Sequence, residues 1–239
     1  MIPRIIHYCW FGHGEMPELT QKCIASWHKY MPDYEYRFWD EDSFDVNSIP
    51  YVREAYEAKQ YAFVSDYVRL YALNKEGGVY LDVDFEVYKP FDDLLVCDAF
   101  AGFEGSKHSP LMMGVIASHS EGLWVAEQLG YYQGRHFLNE DGSYDLTTNV
   151  KFVTERMRER GFTQNGKEQD YLDLHVFPVD YFCPKQTTGE YYRTENTYCE
   201  HRGLNSWGVH KGGWKTNIGR LVGSRNMARL IKLKRRLFG

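Results

Sequence analysis

The stretch from Ala62 to Lys89 changes its hydrophobic period once, and this change sets what the chain around it can form. Apolar residues first recur at helical spacing, which predicts a helix with one buried face. Gly77 and Gly78 predict its end, because glycine readily adopts the backbone conformation that closes a helix. From Val79 to Tyr88 apolar and polar residues alternate, which predicts a strand with one apolar and one polar face.

The polar face of this predicted strand carries three carboxylates at alternate positions, Asp82, Asp84 and Glu86. Their mutual repulsion is tolerated where water, basic groups or a cation offsets it. Mg²⁺ or Mn²⁺ suits such a cluster, since these ions take oxygen ligands and are commonly completed by substrate phosphates. A D-x-D sequence alone is a weak signal, and a solvated strand end is its alternative interpretation. Glu86 is a candidate base by position only.

Strands and helices are predicted to alternate along the first ninety residues, which favours an α/β fold with a mostly parallel sheet between helices. The first strand, from Ile2 to Tyr8, runs into a loop that holds Trp10. Ligands of open α/β sheets lie beyond the carboxyl ends of the strands, so Tyr8 and Trp10 become candidates for ligand binding. Trp10 is suited to stacking on a flat ring, and a core aromatic is the alternative.

The composition excludes some classes of protein. The chain has 239 residues and a net charge of -5, but from Lys211 onward it has nine basic and no acidic residues. The preceding 210 residues carry 19 basic against 33 acidic residues, and this acidic balance argues against a nucleic-acid-binding protein. Five cysteines without metal-site spacing favour free thiols and a cytoplasmic location. No apolar run is long enough for a membrane span.

The helix, the glycine pair and the carboxylates together make a specific pattern. Its members are Ala62, Ser65, Asp66, Arg69, Gly77, Gly78, Tyr80, Asp82 and Asp84. This pattern resembles the sugar-binding D-x-D region of family 32 glycosyltransferases, most closely their bacterial capsular-polysaccharide members. It is more distantly similar to yeast initiating mannosyltransferases and clostridial glucosylating toxins. The resemblance extends from Met1 to about Trp207.

The resemblance implies a GT-A-like fold and a metal-dependent, retaining transfer of a sugar from a nucleoside diphosphate, with uridine favoured. It implies that Asp84 holds Mn²⁺ or Mg²⁺, and that Asp82 reaches the cation through water or binds the ribose. Asp66 and Arg69 then orient the donor sugar and its phosphate. Trp10 and Tyr8 belong to the donor site, with Trp10 stacked on the base.

A later segment of the resembled sequences commonly carries two histidines followed by Ser-Trp. Here His201 is the candidate metal ligand, with a satisfied loop histidine as the alternative, and Arg202 replaces the second histidine. An arginine cannot ligate a metal, so Arg202 is expected to clamp the diphosphate. Asn205 or Ser206 is expected to supply a further oxygen, and Trp207 is expected to close over the donor and exclude water.

Two domains of unequal kind are expected: a glycosyltransferase domain over residues 1–210 and a basic tail over 211–239. Ser224 can cap an amphipathic helix whose basic face either docks on the acidic body or attaches to anionic membrane at the inner face of the plasma membrane. The expected acceptor is a polysaccharide or a lipid-linked oligosaccharide. A nucleotide-sugar hydrolase and a non-catalytic, divalent-cation-dependent sugar-binding protein are the alternative functions.

Overall fold

A computed structural model describes residues 1–105, 110–185 and 191–203, which all fall within one unit of the chain. The helices are α1 (Glu18–Tyr30), α2 (Pro50–Glu57), α3 (Tyr61–Glu76), α4 (Leu123–Gly130), α5 (Asn149–Glu159) and α6 (Val179–Phe182). The strands are β1 (Ile5–Cys9), β2 (Glu35–Trp39), β3 (Gly78–Leu81), β4 (Phe85–Val87), β5 (Ala99–Phe103), β6 (Leu111–Ser118), β7 (Gln169–Tyr171), β8 (Leu174–Phe177) and β9 (Cys199–His201). None of the helices in these ranges has the length and apolarity needed to cross a membrane.

Seven of these strands form one sheet in the order β2-β1-β3-β6-β5-β8-β7. Five of the seven run in the same direction, while β6 and β7 run against them. One buried cluster joins the sheet to α2, α3, α4 and α5, and a second joins it to α1 and α6. The predicted α/β fold, with a mostly parallel sheet between helices, is therefore confirmed.

The glycine pair joins α3 to β3 where no larger residue fits. Gly77 and Gly78 have positive φ angles of 67° and 116°, a backbone conformation that side chains disfavour. A Cβ on Gly78 would also lie 2.6 Å from the Ile5 carbonyl oxygen. The predicted helix end at this pair is thus confirmed, and it sets β3 tightly against β1.

A buried histidine fixes the same junction. The indole N–H of Trp39 donates to Nδ1 of His7 over 3.0 Å, so Nε2 carries the proton that is donated to the Gly77 carbonyl oxygen at 2.7 Å. Burial lowers the pKa of His7, which keeps this ring neutral. One imidazole thereby ties β1 to β2 and to the end of α3.

The predicted strand from Val79 to Tyr88 is wrong in one respect. The first strand, β3, ends at Leu81, and β4 begins at Phe85. Between them the Phe85 N–H donates to the Asp82 carbonyl oxygen over 3.1 Å, which makes a tight turn. Every residue of β3 is buried because the strand is central and covered on both faces, so the expected polar face is absent. The carboxylates lie in and after the turn.

The turn also carries the chain from one sheet to another. β4 pairs antiparallel with β9 in a separate two-stranded sheet. The indole N–H of Trp27 on α1 donates to the Phe85 carbonyl oxygen over 2.7 Å, which anchors this small sheet to the main core. Asp82 and Asp84 therefore lie at the junction of the two sheets, beyond the carboxyl end of β3.

Candidate active site

A buried ion pair on α3 forms the base of the candidate site. Asp66 and Arg69 are three residues apart on the helix, and Oδ1 of Asp66 lies 3.0 Å from Nη2 of Arg69. Both are almost inaccessible, with exposed fractions of 0% and 3%. Burial raises the pKa of Asp66 to about 7, although the Arg69 charge opposes this shift. The predicted neighbours on the helix surface are thus in contact, but they lie inside the protein.

Arg69 reaches from the helix to the end of β3. Its Nη2 lies 3.4 Å from Oδ1 of Asp82, and its Nη1 donates to the Met113 carbonyl oxygen over 2.6 Å. Its guanidinium carbon lies 4.7 Å from the centre of the Tyr80 ring. Burial lowers the pKa of Arg69, but Asp82, Tyr80 and Asp66 outweigh burial and raise it overall. The site therefore contains a fixed positive charge held beside two carboxylates.

Asp82 is oriented from three sides. Its backbone N–H donates to the Gly114 carbonyl oxygen over 2.8 Å, and the Tyr80 hydroxyl donates to its Oδ1 over 2.8 Å. Burial raises the pKa of Asp82 against the opposing effect of Arg69. Oδ1 is thus engaged by Tyr80 and Arg69.

Asp84 contacts His201, the candidate metal ligand, which lies 117 residues further along the chain. Its Oδ2 lies 3.0 Å from Nε2 of His201, whose ring stacks on Phe85 with 4.8 Å between ring centres. Phe85 and His201 are cross-strand partners in β4 and β9. Burial lowers the pKa of His201, but the hydrogen bond and charge of Asp84 outweigh it and raise the pKa overall. The structure thus brings together Asp84 and His201, which were each predicted to hold the cation.

These residues suit a cation that is completed by substrate. No cluster of three or more His, Cys, Asp or Glu within the described ranges is arranged to hold a metal ion by itself. Mg²⁺ and Mn²⁺ need only one or two carboxylates when water and phosphate supply the other ligands. Asp82 and Asp84 provide those carboxylates, and His201, with 45% of its side chain exposed, provides a nearby nitrogen. The residues fit a hard divalent cation bound together with a diphosphate.

Arg202 has other partners than the expected diphosphate. Its Nη1 lies 3.4 Å from Oε2 of Glu86 and 3.5 Å from Oε1 of Glu200. Glu86 and Glu200 face each other across β4 and β9, and like charges in that position repel. The guanidinium offsets this repulsion, so contact with a diphosphate would require Arg202 to leave both carboxylates. The candidate base Glu86 is likewise occupied by this pairing.

Tyr8 and Trp10 lie at the end of β1, which runs parallel to β3. The Tyr8 ring packs 5.1 Å from Phe38 and 5.6 Å from Trp27, centre to centre. Trp10 is partly exposed, and its indole N–H donates to the Gly14 carbonyl oxygen over 2.6 Å. Parallel strands end at the same edge of a sheet, so both aromatics lie on the edge where the carboxylates lie.

The structure adds Asn149 to the candidate site. It is the first residue of α5 and 2% exposed, and neither Nδ2 nor Oδ1 of its side chain has a hydrogen-bond partner. Its backbone N–H interacts with Asp66. A buried amide left unpaired is costly, and this makes Asn149 a candidate for contact with a ligand. The sequence shows Asn149 only as part of a helix start after Thr148, with no sign that it approaches Asp66.

Glu104 is the second addition. It follows β5 directly, and burial raises its pKa to about 7, with His201 lowering and Asp82 further raising it. The sequence signal that could have indicated Glu104 is its position as an acidic residue directly after the apolar run Ala99–Phe103. Three predicted residues, Asn205, Ser206 and Trp207, lie outside the described residues, as does the tail from 211 to 239.

One region of the chain matches a known protein family. Residues 17–101 match the glycosyltransferase sugar-binding region containing the DXD motif. This range includes α3, the glycine pair, Asp82 and Asp84. The resemblance of this region to DXD glycosyltransferases is therefore confirmed.

Named relatives come from a virus, fungi and a bacterium. An uncharacterized glycosyltransferase of Acanthamoeba polyphaga mimivirus is 26% identical over 88% of this chain and 85% of its own length. Inositol phosphoceramide mannosyltransferase 3 of Schizosaccharomyces pombe is 37% identical, and the match covers 39% of this chain and only 27% of that protein. Subversion of eukaryotic traffic protein A of Legionella pneumophila is 28% identical over 66% of this chain and 29% of its own length. These relatives do not point specifically to capsular-polysaccharide synthesis.

Two solved structures to which the chain is partly similar are also glycosyltransferases by name. The PaToxG glycosyltransferase has 17% identity and a TM-score of 0.48, covering 67% of this chain and 70% of its own. The galactosyltransferase LgtC has 13% identity and a TM-score of 0.37, covering 62% of this chain and 69% of its own.

Proposed function

We propose that this chain is a glycosyltransferase that moves a sugar from a nucleoside diphosphate, preferentially UDP, to a glycan or lipid-linked oligosaccharide acceptor. Asp66, Arg69 and Asp82 meet at the carboxyl end of a central strand, where α/β folds bind their ligands. The curated relatives include enzymes named for inositol phosphoceramides, which supports an acceptor that carries a lipid.

The buried guanidinium of Arg69 carries this proposal. Its 3% exposure and its contacts with Asp66, Asp82 and Met113 hold it in one place. When the bond between sugar and diphosphate breaks, negative charge builds on the departing phosphate, and a preorganised positive group stabilises that charge without reorganising. If Arg69 served only to stabilise the fold, its partner Asp82 would not need to lie at the carboxyl end of β3, where ligands bind.

A divalent cation would be held by Asp84 and Asp82, with His201 beside them. When bound, Mn²⁺ or Mg²⁺ neutralises charge on the diphosphate. Asp84 is well placed for this role because it lies in the turn, with its Oδ2 3.0 Å from Nε2 of His201. His201 either shares the cation or holds the Asp84 carboxylate in position.

The donor sugar and base would occupy either side of this centre. Asp66 accepts hydrogen bonds from sugar hydroxyls, and the unpaired amide of Asn149 supplies both a donor and an acceptor. Trp10 stacks on the base, with Tyr8 supporting that edge of the sheet. We propose retention at the anomeric carbon, and Trp207 as the residue that excludes water.

A panel of nucleotides and nucleotide sugars with Mn²⁺ tests this function. A ligand that binds the native state raises the melting temperature, so UDP and one UDP-sugar should raise it in the presence of Mn²⁺. Release of UDP that depends on added acceptor would establish transfer. Release that is independent of acceptor would favour a hydrolase. Stabilisation by free glycans and Ca²⁺, without any response to nucleotides, would favour a sugar-binding protein and overturn the proposal.

A further inference from the structure

Glu104 lies at the same end of the main sheet as the candidate site. It follows β5, which is separated from β3 only by β6. Its backbone N–H donates to the Pro110 carbonyl oxygen over 2.9 Å, so the residue extends the pairing of β5 with β6. Gly105 then turns the chain with a φ of 72°. The backbone of Glu104 is therefore fixed by the sheet, and its side chain starts from a rigid position.

The surroundings of this carboxyl group do not explain why it is there. Glu104 is partly buried, yet its side chain forms no hydrogen bond or ion pair with the residues in the three described ranges. Asp82 and His201 are its charged neighbours in the site, and its charge also acts on the buried Cys183. A partly buried carboxyl without a partner costs stability, and such groups are concentrated at functional sites.

The other charged groups of the site already have tasks on the donor side. Arg69 is committed to the two carboxylates beside it, and Asp84 lies against His201. A carboxylate cannot serve as a diphosphate ligand, because the two would repel each other. A hydroxyl is the ligand that suits a free carboxylate, since it donates a strong, charge-assisted hydrogen bond to it.

We propose that Glu104 binds the acceptor, its carboxylate receiving a hydrogen bond from the incoming hydroxyl group beside the donor sugar. This inference rests on the proposed glycosyl transfer and adds the residue that orients the second substrate. A fixed strand end is a suitable place for that task, because transfer needs the hydroxyl oxygen close to the anomeric carbon and in line with it. By holding the acceptor hydroxyl group in place, Glu104 would favour transfer to the acceptor over attack by water.

The test compares Glu104→Ala and Glu104→Gln with wild type and with Glu57→Ala, a matched control at an exposed position on α2. Three quantities are measured for each: the UDP dissociation constant with Mn²⁺ by calorimetry, free sugar released from the UDP-sugar, and sugar transferred to octyl glycosides. For Glu104→Ala we expect kcat/KM for the octyl glycoside to fall about 10- to 100-fold. UDP affinity should stay within about twofold, and free sugar should become a larger share of the product.

Glu104→Gln keeps a carbonyl oxygen that can accept a hydrogen bond, so its loss should be smaller than that of the alanine variant. Unchanged acceptor kinetics in Glu104→Ala would overturn the inference while leaving the proposed function intact. An equal loss of UDP affinity would place Glu104 on the donor side and also overturn it. If wild type transfers sugar to none of the octyl glycosides and only hydrolyses the donor, the proposed function fails and this inference fails with it.

Discussion

Arg69 shows at the residue scale how this protein places a charge inside an α/β core. A guanidinium with 3% exposure would be very costly alone, but it has Asp66, Asp82 and two backbone carbonyl oxygens around it. Its five N–H donors are fixed in one plane, so these partners determine its orientation completely. The result is a permanent positive charge whose position does not depend on substrate.

Asp84→Asn should abolish most of the turnover without unfolding the protein. A neutral amide is a poorer ligand for a hard cation, and removing one electrostatic group from a transition state costs roughly 100-fold or more in rate. The measurement is steady-state transfer over a range of Mn²⁺ concentrations, together with melting temperature. Asp141→Asn, in an exposed loop, is the control. Near wild-type turnover of Asp84→Asn in chelated buffer would contradict the role of Asp84.

Glu104→Gln should stabilise the protein at alkaline pH and not at acid pH. The pKa of Glu104 is raised from 4.5 to about 7, so between these values the native state binds more protons than the unfolded state. Stability therefore falls as pH rises through this window, and glutamine avoids that loss. The advantage of the variant should grow from near zero at pH 4.5 to about 1–3 kcal/mol at pH 8.

Urea denaturation at both pH values measures this difference. A constant difference between Glu104→Gln and wild type across the window would show that the carboxyl is not held in an unfavourable environment. A variant less stable than wild type at pH 8 would show instead that the ionised carboxylate stabilises the fold. Either result would remove the stability cost that motivates a functional role for Glu104.

At the scale of elements, the turn between β3 and β4 separates what the sequence could predict from what it could not. Alternating apolar and polar residues predict a strand, but the same alternation fits a chain that turns at Asp82 and continues in another sheet. The break is fixed by β6, which pairs with β3 only as far as Leu81. Leu81 pairs with Val115, which lies 34 residues further along the chain. The residues around Leu81 therefore give no indication in the sequence that the strand ends there.

The candidate site divides in the same way. Asp66, Arg69, Asp82 and Asp84 were predictable because they share one helix, one strand end and a specific spacing. Asn149 and Glu104 were missed because tertiary packing alone brings them to Asp66 and Asp82. The expected role of Arg202 as a diphosphate clamp remains a prediction, since its pairing with Glu86 and Glu200 follows from the register of β4 and β9.

Gly114→Ala should disturb the turn through β6. A Cβ at this position would lie 2.6 Å from the Phe85 ring and 2.8 Å from Oδ2 of Asp82, so both side chains must move. We expect a loss of about 1–3 kcal/mol in stability, as in other overpacked cores, and a weaker affinity for UDP with Mn²⁺. The measurements are urea denaturation and calorimetry.

Gly130→Ala is the matched control, because no atom lies within 4 Å of a Cβ there and the residue ends a helix. This variant should be neutral or slightly more stable, since alanine favours helices over glycine. If Gly114→Ala bound UDP with Mn²⁺ as wild type does, the position of Asp82 would not be critical for donor binding.

At the scale of the whole molecule, the uneven charge of the chain leads to a proposal about location. Six of the nine basic residues from Lys211 onward fall between 224 and 239, where the sequence predicts an amphipathic helix. We propose that this segment holds a cytoplasmic enzyme at the inner face of the plasma membrane. Each basic residue near anionic lipid contributes about 1 kcal/mol, so the expected binding is strong at low salt and weak at high salt.

Deletion of 224–239 should therefore abolish sedimentation of the protein with vesicles of anionic phospholipid. The full chain at high salt and vesicles of neutral lipid serve as controls. Equal sedimentation of the truncated and full chains, or no sedimentation of either at low salt, would show that the tail does not attach the protein to membranes. In that case docking on the acidic body is the remaining interpretation.

The strand order has a consequence for how the protein is made. The matching sugar-binding region ends at Ala101, inside β5, but β6 and β8, which flank β5, are both synthesised later. A nascent chain that carries the complete D-x-D sequence therefore has β3 as an open sheet edge, and open edges invite pairing with other chains. His201 leaves the ribosome later still. The sugar-binding region is thus an incomplete sheet during translation, and it depends on the second half of the chain for its missing strands.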